Sequence, residues 1–268
     1  MIMLYYGGYE QNRKKKCFLF LGETYMFRTI FAILYAIIFL VIGSPLLLIQ
    51  KIREKINKEK ADISSLRIVQ HALRCVYKIC GVRPTLIGLE RIPKDEPVLY
   101  VCNHQSYFDI IVSYAQCPGL TGYVAKDDLE KVPLLRAWMR RLYCLFMNRD
   151  DARAGLKTIL EAIETVKKGV SICIFPEGTR GDGKTLGEFH AGSLKIAEKT
   201  GCPIIPVAIS NTHAILLDHP PAVKPTHVIL EYGEPINTRD LTREEKKALT
   251  SNVKNAIQEM LEKNKSLI

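Results

Sequence analysis

The stretch Pro97-Val-Leu-Tyr-Val-Cys-Asn-His-Gln-Ser-Tyr-Phe-Asp-Ile-Ile-Val112 decides how the rest of the chain is interpreted. Its first part, residues 98–102, is apolar and β-prone, which predicts a buried strand. A polar corner follows, and apolar residues then recur at helical spacing over 108–115. Ser106 stands where the N-cap of that helix should be. The stretch therefore predicts a strand, a polar corner and a helix.

Two residues of this corner have the chemistry of a base and its orienting carboxylate. His104 lies at the exit of the strand, and Asp109 falls in the first turn of the helix, from which it can turn back toward the imidazole. A carboxylate that accepts from one ring nitrogen leaves the other nitrogen free to take a proton from a hydroxyl. A loop histidine is more often a simple surface residue, so the pair needs support from elsewhere in the chain.

That support comes from a second block, Phe175-Pro-Glu-Gly-Thr-Arg180. Residues 103–109 resemble the NHxxxxD motif, and residues 175–180 the FPEGTR motif, of the 1-acyl-glycerol-3-phosphate acyltransferase family. The motifs stand in the family's order, and the resemblance covers residues 89–234. It implies transfer of an acyl group from a thioester to the sn-2 hydroxyl of 1-acyl-sn-glycerol-3-phosphate, which gives phosphatidic acid in phospholipid biosynthesis.

The resemblance also implies roles for individual residues. His104 would be the general base and Asp109 its orienting partner, with direct transfer and no acyl-enzyme. Residues expected to bind substrate are Lys126, Arg149, Glu177, Gly178, Thr179 and Arg180. Two alternatives stay open, a solvated loop arginine at Arg180 and a structural ion pair at Arg149. The expected partners are lysophosphatidic acid and an acyl-CoA or acyl-carrier-protein donor, without a metal or other cofactor.

An uncharged segment over residues 29–49 is long enough to span a membrane. Gly43-Ser-Pro45 should kink or break it. A spanning helix and a broken helix embedded in one leaflet both remain open, and a buried helix of a soluble protein is a third alternative. Residues 1–60 carry ten basic and four acidic side chains, a net charge of +6 that favours anionic headgroups and the cytoplasmic side. We expect a membrane-associated protein whose catalytic domain faces the cytoplasm. Translation from Met26, just before this segment, is a further hypothesis.

Composition argues against a nucleic-acid-binding protein and against a metal-binding or disulfide-bonded one. The 268 residues have a net charge of +10, but no folded array of basic and aromatic residues, so no nucleic-acid partner is expected. The eight cysteines show no CxxC pair and no metal-ligand spacing. They are expected to be reduced core thiols of a cytosol-facing domain.

Alternating strands and helices downstream predict an α/β fold with a largely parallel sheet flanked by helices, preceded by an N-terminal hydrophobic membrane-attaching helical segment. Predicted strands cover residues 98–102, 122–125, 144–147, 171–175, 204–209 and 227–232. Predicted helices cover residues 63–79, 108–115, 134–141, 151–168, 192–199 and about 243–263. Three parts are expected: a basic extension over 1–25, the membrane-attaching segment over 26–82, and the acyltransferase domain over 83–268.

Two other functions compete with this interpretation. One is a related acyltransferase whose acceptor is another lysophospholipid, glycerol-3-phosphate or an amino-lipid. The other is a catalytically silent membrane-binding scaffold that keeps the fold. The joint presence of His104, Asp109, Glu177 and Arg180 argues against a scaffold, which does not need the whole set.

Overall fold

The computed structural model describes residues 24–183 and 185–268. Nearly all of the predicted extension over 1–25 lies outside these residues. The helices are α1 Thr24–Ile42, α2 Ser44–Ile56, α3 Lys58–Ile79, α4 Tyr107–Tyr114, α5 Pro133–Arg141, α6 Ala152–Lys167, α7 Lys195–Thr200, α8 His213–Leu216 and α9 Arg243–Asn264. The strands are β1 Arg83–Ile87, β2 Leu99–Cys102, β3 Thr121–Lys126, β4 Leu145–Met147, β5 Ser171–Ile174, β6 Ile204–Ser210 and β7 His227–Tyr232.

The strands form one seven-stranded sheet in the order β1-β7-β6-β2-β5-β3-β4. Strands β2 to β6 are mutually parallel, β7 runs antiparallel to β6, and β1 is parallel to β7. The predicted α/β fold with a largely parallel sheet is confirmed. Strand β2 lies at the centre between β5 and β6, so the carboxyl ends of these three strands meet at one edge of the sheet.

Helices cover both faces of this sheet. One core cluster packs apolar residues of α3 and α4, such as Leu66 and Val112, against Ile205 and Leu230 of the sheet. The other packs residues of α6, α7 and α9 against the opposite face, including Ala162, Ile196 and Ile257. Burial on both faces explains the nearly continuous apolar sequence of the central strands.

Several elements differ from their predicted bounds. Helix α3 begins at Lys58, five residues before the predicted start, because the Asn57 side chain caps it by accepting from the Lys60 N–H. Strand β1 was not predicted, since it is a short edge strand that contains Pro84. The predicted helix over 192–199 is a 3-10 turn, Ala191–Leu194, followed by α7.

The uncharged segment is divided between two helices. Helix α1 ends at Ile42, and α2 begins at Ser44 with Pro45 in its first turn, so the predicted break at Gly43 is confirmed. Among the described residues, α1 alone is long and apolar enough to cross a membrane, and most of its large apolar side chains are exposed.

The amphipathic stripe of α3 contacts protein rather than solvent. Leu66 and Ala72 are buried, and Val69, Leu73 and Val76 pack against the core cluster. This apolar stripe therefore packs in the core of the domain. Residues of α3 belong to the same core cluster as residues of the sheet. The expected boundary between a membrane-attaching segment ending at residue 82 and an acyltransferase domain beginning at residue 83 therefore stays a prediction.

Candidate active site

The corner after β2 is held in place by an asparagine side chain. The Asn103 amide donates to the Ile209 carbonyl at 2.9 Å, and its oxygen accepts from the Ile209 N–H at 2.7 Å. This double hydrogen bond ties the end of β2 to the neighbouring strand β6. It fixes the backbone from which the next residue, His104, projects.

His104 and Asp109 form the hydrogen-bonded pair that their sequence spacing predicts. The His104 Nδ1 lies 2.8 Å from Oδ2 of Asp109, and both side chains are almost fully buried. The same oxygen accepts the N–H groups of Gln105 and Ser106 at 2.6 and 2.7 Å. Ser106 in turn accepts from the Phe108 N–H, so it caps α4 as expected. With Nδ1 bound, Nε2 is the ring nitrogen left to accept a proton.

The second oxygen of Asp109 is bound by a residue that the sequence did not reveal. Thr212, which directly precedes α8 and is fully buried, donates its hydroxyl to Oδ1 of Asp109. The carboxylate therefore accepts from four donors, which holds it in one orientation. No local pattern marks Thr212, because it lies 103 residues along the chain from its partner.

Glu177 braces the backbone of the histidine. Its Oε1 accepts the His104 N–H at 2.6 Å, and its Oε2 accepts the Gly187 N–H at 2.8 Å. Burial raises the pKa of the Glu177 carboxyl, although these two bonds favour the charged form. Both oxygens are thus committed to backbone groups, so this geometry gives Glu177 a positioning role.

The two motifs also meet through backbone and ring contacts. The Gly181 N–H donates to the His104 carbonyl at 2.8 Å, and the His104 ring stacks on Phe175 at a centroid distance of 4.4 Å. Gly178 adopts a φ of +69°, where an L side chain would be strained. The loop after β5 therefore reaches the histidine by a left-handed turn, while Thr179 next to that turn is exposed.

Two arginines of the predicted substrate-binding set lie close enough to influence each other. The Arg180 guanidinium lies 3.9 Å from the centroid of the Tyr107 ring, in the first turn of α4. Burial and the nearby charge of Arg180 lower the pKa of Arg149. Neither arginine forms a salt bridge with a carboxylate in the described part of the chain. Two adjacent cations of this kind favour an anion between them.

Lys126 is placed differently from the arginines. It lies at the end of β3 and forms an exposed ion pair with Asp128, at 2.5 Å. Asp128 raises the pKa of the Lys126 amine by hydrogen bonding and charge. Binding of substrate by Lys126 stays a prediction, since its amine is paired with the Asp128 carboxylate.

An apolar cavity of about 340 Å³ extends from this site toward the N-terminal helices. Tyr107, which contacts Arg180, is also part of its wall. Other wall residues come from α1, α3, α4 and α5 and include Phe39, Leu73, Ile111 and Trp138. Such a lining suits a hydrocarbon chain rather than a polar ligand. Among the described residues, no group of three His, Cys, Asp or Glu side chains could hold a metal ion.

Comparisons with known proteins point to one family. The acyltransferase family model matches residues 83–210. The 1-acyl-sn-glycerol-3-phosphate acyltransferase of Borreliella burgdorferi is 31% identical over 186 residues, which cover 69% of this chain and 74% of that protein. The chloroplastic relative LPAT1 of Arabidopsis thaliana is 30% identical over 68% of this chain and 49% of its own length.

A solved structure has a similar fold over most of the chain. The crystal structure of the 1-acyl-sn-glycerophosphate (LPA) acyltransferase PlsC from Thermotoga maritima matches with a TM-score of 0.78 and 29% identity. The match covers 90% of this chain and 95% of that one. This chain belongs to the 1-acyl-sn-glycerol-3-phosphate acyltransferase family.

Proposed function

We propose that the His104 site transfers a fatty acyl group from a thioester to the sn-2 hydroxyl of 1-acyl-sn-glycerol-3-phosphate, giving phosphatidic acid. The observation that carries this proposal is the His104–Asp109 pair, whose carboxylate accepts from four donors, together with two neighbouring arginines that form no salt bridge in the described part of the chain. The names of the relatives support the same acceptor and product.

The proposed reaction uses these groups as base and orienting carboxylate. His104 Nε2 takes the proton of the acceptor hydroxyl as its oxygen attacks the thioester carbonyl. The tetrahedral intermediate then expels the thiolate, which receives the proton from the imidazolium. Asp109 holds the imidazole and stabilises its charged form. The nucleophile belongs to the acceptor, so no acyl-enzyme forms and the donor thioester is a substrate rather than a resident cofactor.

Arg149 and Arg180 would bind the phosphate of the acceptor, and the apolar cavity would hold an acyl chain. A planar guanidinium matches the geometry of a phosphate, and two of them suit its double charge. Gly178 and Thr179 would line the backbone turn beside that phosphate. Glu177 and Thr212 would act through the base, by holding its backbone and its carboxylate respectively.

Association with the membrane is supported by the family and by the exposed apolar side chains of α1. Helix α1 contacts the domain near both ends, because Arg28 donates to the Ile79 carbonyl and Phe39 stacks on Trp138. These contacts are roughly 16 Å apart along the helix, about half the thickness of the hydrocarbon core. We therefore favour a helix embedded in one leaflet, with the catalytic domain on the cytoplasmic side.

The test is release of free thiol from a long-chain acyl-CoA by the purified, detergent-solubilised protein, with and without 1-acyl-glycerol-3-phosphate. We expect release that depends on the acceptor and is abolished in His104→Ala. Substantial residual turnover in that variant would refute the general-base role. If wild type is inactive with acyl-CoA, an acyl-carrier-protein donor and a panel of lysolipids should restore release, and continued inactivity would refute the function.

The arginines are tested in the same assay. Arg180→Ala should raise the KM for the acceptor much more than the KM for the donor. Arg149→Ala should do the same, because both cations face the same phosphate. An effect confined to the donor would contradict this assignment.

A further inference from the structure

A second pocket lies apart from the candidate active site, between α2, the start of α3 and α5. Its volume is about 450 Å³. Its charged lining residues, which define the basic pocket, are Lys51, Lys58, Arg140, Arg141 and Glu54. Four cations and one carboxylate therefore line a space large enough for a phosphate group, and one of the cations, Arg140, is also paired with Glu130 beside the pocket.

A buried carboxylate fixes two of these cations. Asp62, on α3, is 3% exposed and lies 2.7 Å from both Lys58 Nζ and Arg141 Nη1. The hydroxyl of Tyr143 also donates to Asp62. Burial alone would raise the pKa of Asp62, but bonds with Lys58 and Tyr143 and the charge of Arg141 lower it. Asp62 is therefore charged at neutral pH and holds the pocket wall in one arrangement.

Donors in the basic pocket remain without partners. Nε and Nη2 of Arg141 are buried and make no hydrogen bond within the described part of the protein. Lys51 likewise takes part in no salt bridge there. A buried N–H group that lacks an acceptor is costly. Lys51 is exposed and lines the same pocket, so its free ammonium is the group that an oxyanion there would contact first.

The position of α2 indicates the source of that oxyanion. Lys51 and Glu54 line the pocket, whereas Leu48, Ile52 and Ile56 are exposed. By helical periodicity these apolar residues lie on the opposite side of α2. If that apolar side enters a bilayer, the basic pocket lies at the height of the lipid headgroups.

We propose that the basic pocket binds the phosphate of an anionic phospholipid headgroup, at a site separate from Arg149 and Arg180. Binding there needs no turnover, so it goes beyond the proposed acyl transfer. A bound headgroup would join α2 to α5 and thus hold the membrane-facing helices against the wall of the apolar cavity. Inorganic phosphate could bind to the same cations, so the experiment compares a phospholipid with inorganic phosphate.

The experiment measures lipid binding to the purified full chain in detergent by native mass spectrometry. The probes are dioleoylphosphatidylglycerol, which is anionic and is neither acceptor nor product of the proposed reaction, dioleoylphosphatidylcholine, and inorganic phosphate. We expect phosphatidylglycerol to bind about tenfold more tightly than phosphatidylcholine. The double variant Lys51→Gln/Arg140→Gln should lose about tenfold of that affinity.

The matched control removes the same charge elsewhere. Lys55→Gln/Lys157→Gln changes exposed lysines of α2 and α6 outside the pocket and should bind like wild type. Equal loss in both double variants, or no loss in either, would overturn the proposal. Loss of binding in Arg180→Ala would assign the lipid to the active site instead. Displacement by equimolar inorganic phosphate would overturn the lipid source. Acyl transfer is measured separately by thiol release, so a failure of the lipid-binding proposal and a failure of the acyl-transfer proposal can be told apart.

Discussion

Replacing Thr212 by valine removes one hydroxyl from the candidate active site and keeps the branched shape of the side chain. The lost hydrogen bond is to the carboxylate of Asp109, which is fully buried. A hydrogen bond to a charged group contributes about 1.5–3 kcal/mol. At about 1.4 kcal/mol for each factor of ten, kcat should fall roughly 10- to 100-fold.

The reasoning also predicts which kinetic parameter changes. Thr212 acts through Asp109, so the KM for acceptor and donor should stay close to wild type while kcat falls. The melting temperature should decrease by about 3–12 °C, from the same loss of free energy. Acceptor-dependent thiol release and thermal unfolding measure these quantities on one preparation.

Two further variants separate positioning from general destabilisation. Thr212→Ser restores the hydroxyl and should recover most of the activity. Thr238→Val removes another buried hydroxyl, which donates to the carbonyls of Ala197 and Cys202 away from the site. It should lower stability with little effect on kcat. Full activity in Thr212→Val, or an equal loss in Thr212→Ser, would refute the role of the hydroxyl.

Three other predictions concern the brace, the buried carboxylate and the cavity. Glu177→Gln should lower kcat about 10- to 100-fold in the thiol-release assay, because the amide of glutamine can accept only one of the two backbone N–H bonds. The control Glu188→Gln changes an exposed glutamate and should match wild type. Because its neighbours lower the pKa of Asp62, its stabilising effect is full at neutral pH and is lost as pH falls through its folded-state pKa. The melting-temperature difference between wild type and Asp62→Asn should thus be largest near pH 7 and shrink below about pH 4, with no such difference for Asp95→Asn. Ala72→Leu should fill part of the apolar cavity and shift the ratio of kcat/KM toward shorter acyl chains, and an unchanged ratio would contradict acyl binding there.

The sequence predicted the parts of the site that are local in the chain. His104, Ser106 and Asp109 lie within six residues, so helix capping and side-chain reach determine how they meet. The second motif, residues 175–180, was also identifiable from the sequence, but the contacts that its side chains make were not. Glu177 was expected to bind substrate, and its contact with the His104 N–H depends on β5 lying beside β2.

Contacts that depend on the order of the strands could not be predicted in the same way. Asn103 reaches Ile209, and Thr212 reaches Asp109, only because β6 lies on the other side of β2. The edge strand β1 gave little signal, since it is short and pairs on one side only. The ion pair of Lys126 with Asp128, by contrast, is local and depends on the turn after β3.

The central place of β2 in the sheet has a consequence for biosynthesis. Its neighbours β5 and β6 are translated long after it, and the bonds that secure His104 and Asn103 join residues 73 and 106 positions apart. Pairings between such distant segments form slowly. Helices α1 and α2, by contrast, are complete before any strand has left the ribosome. The apolar helices can therefore reach a bilayer while His104 is still unbraced, and the site is assembled only after these helices have been synthesised.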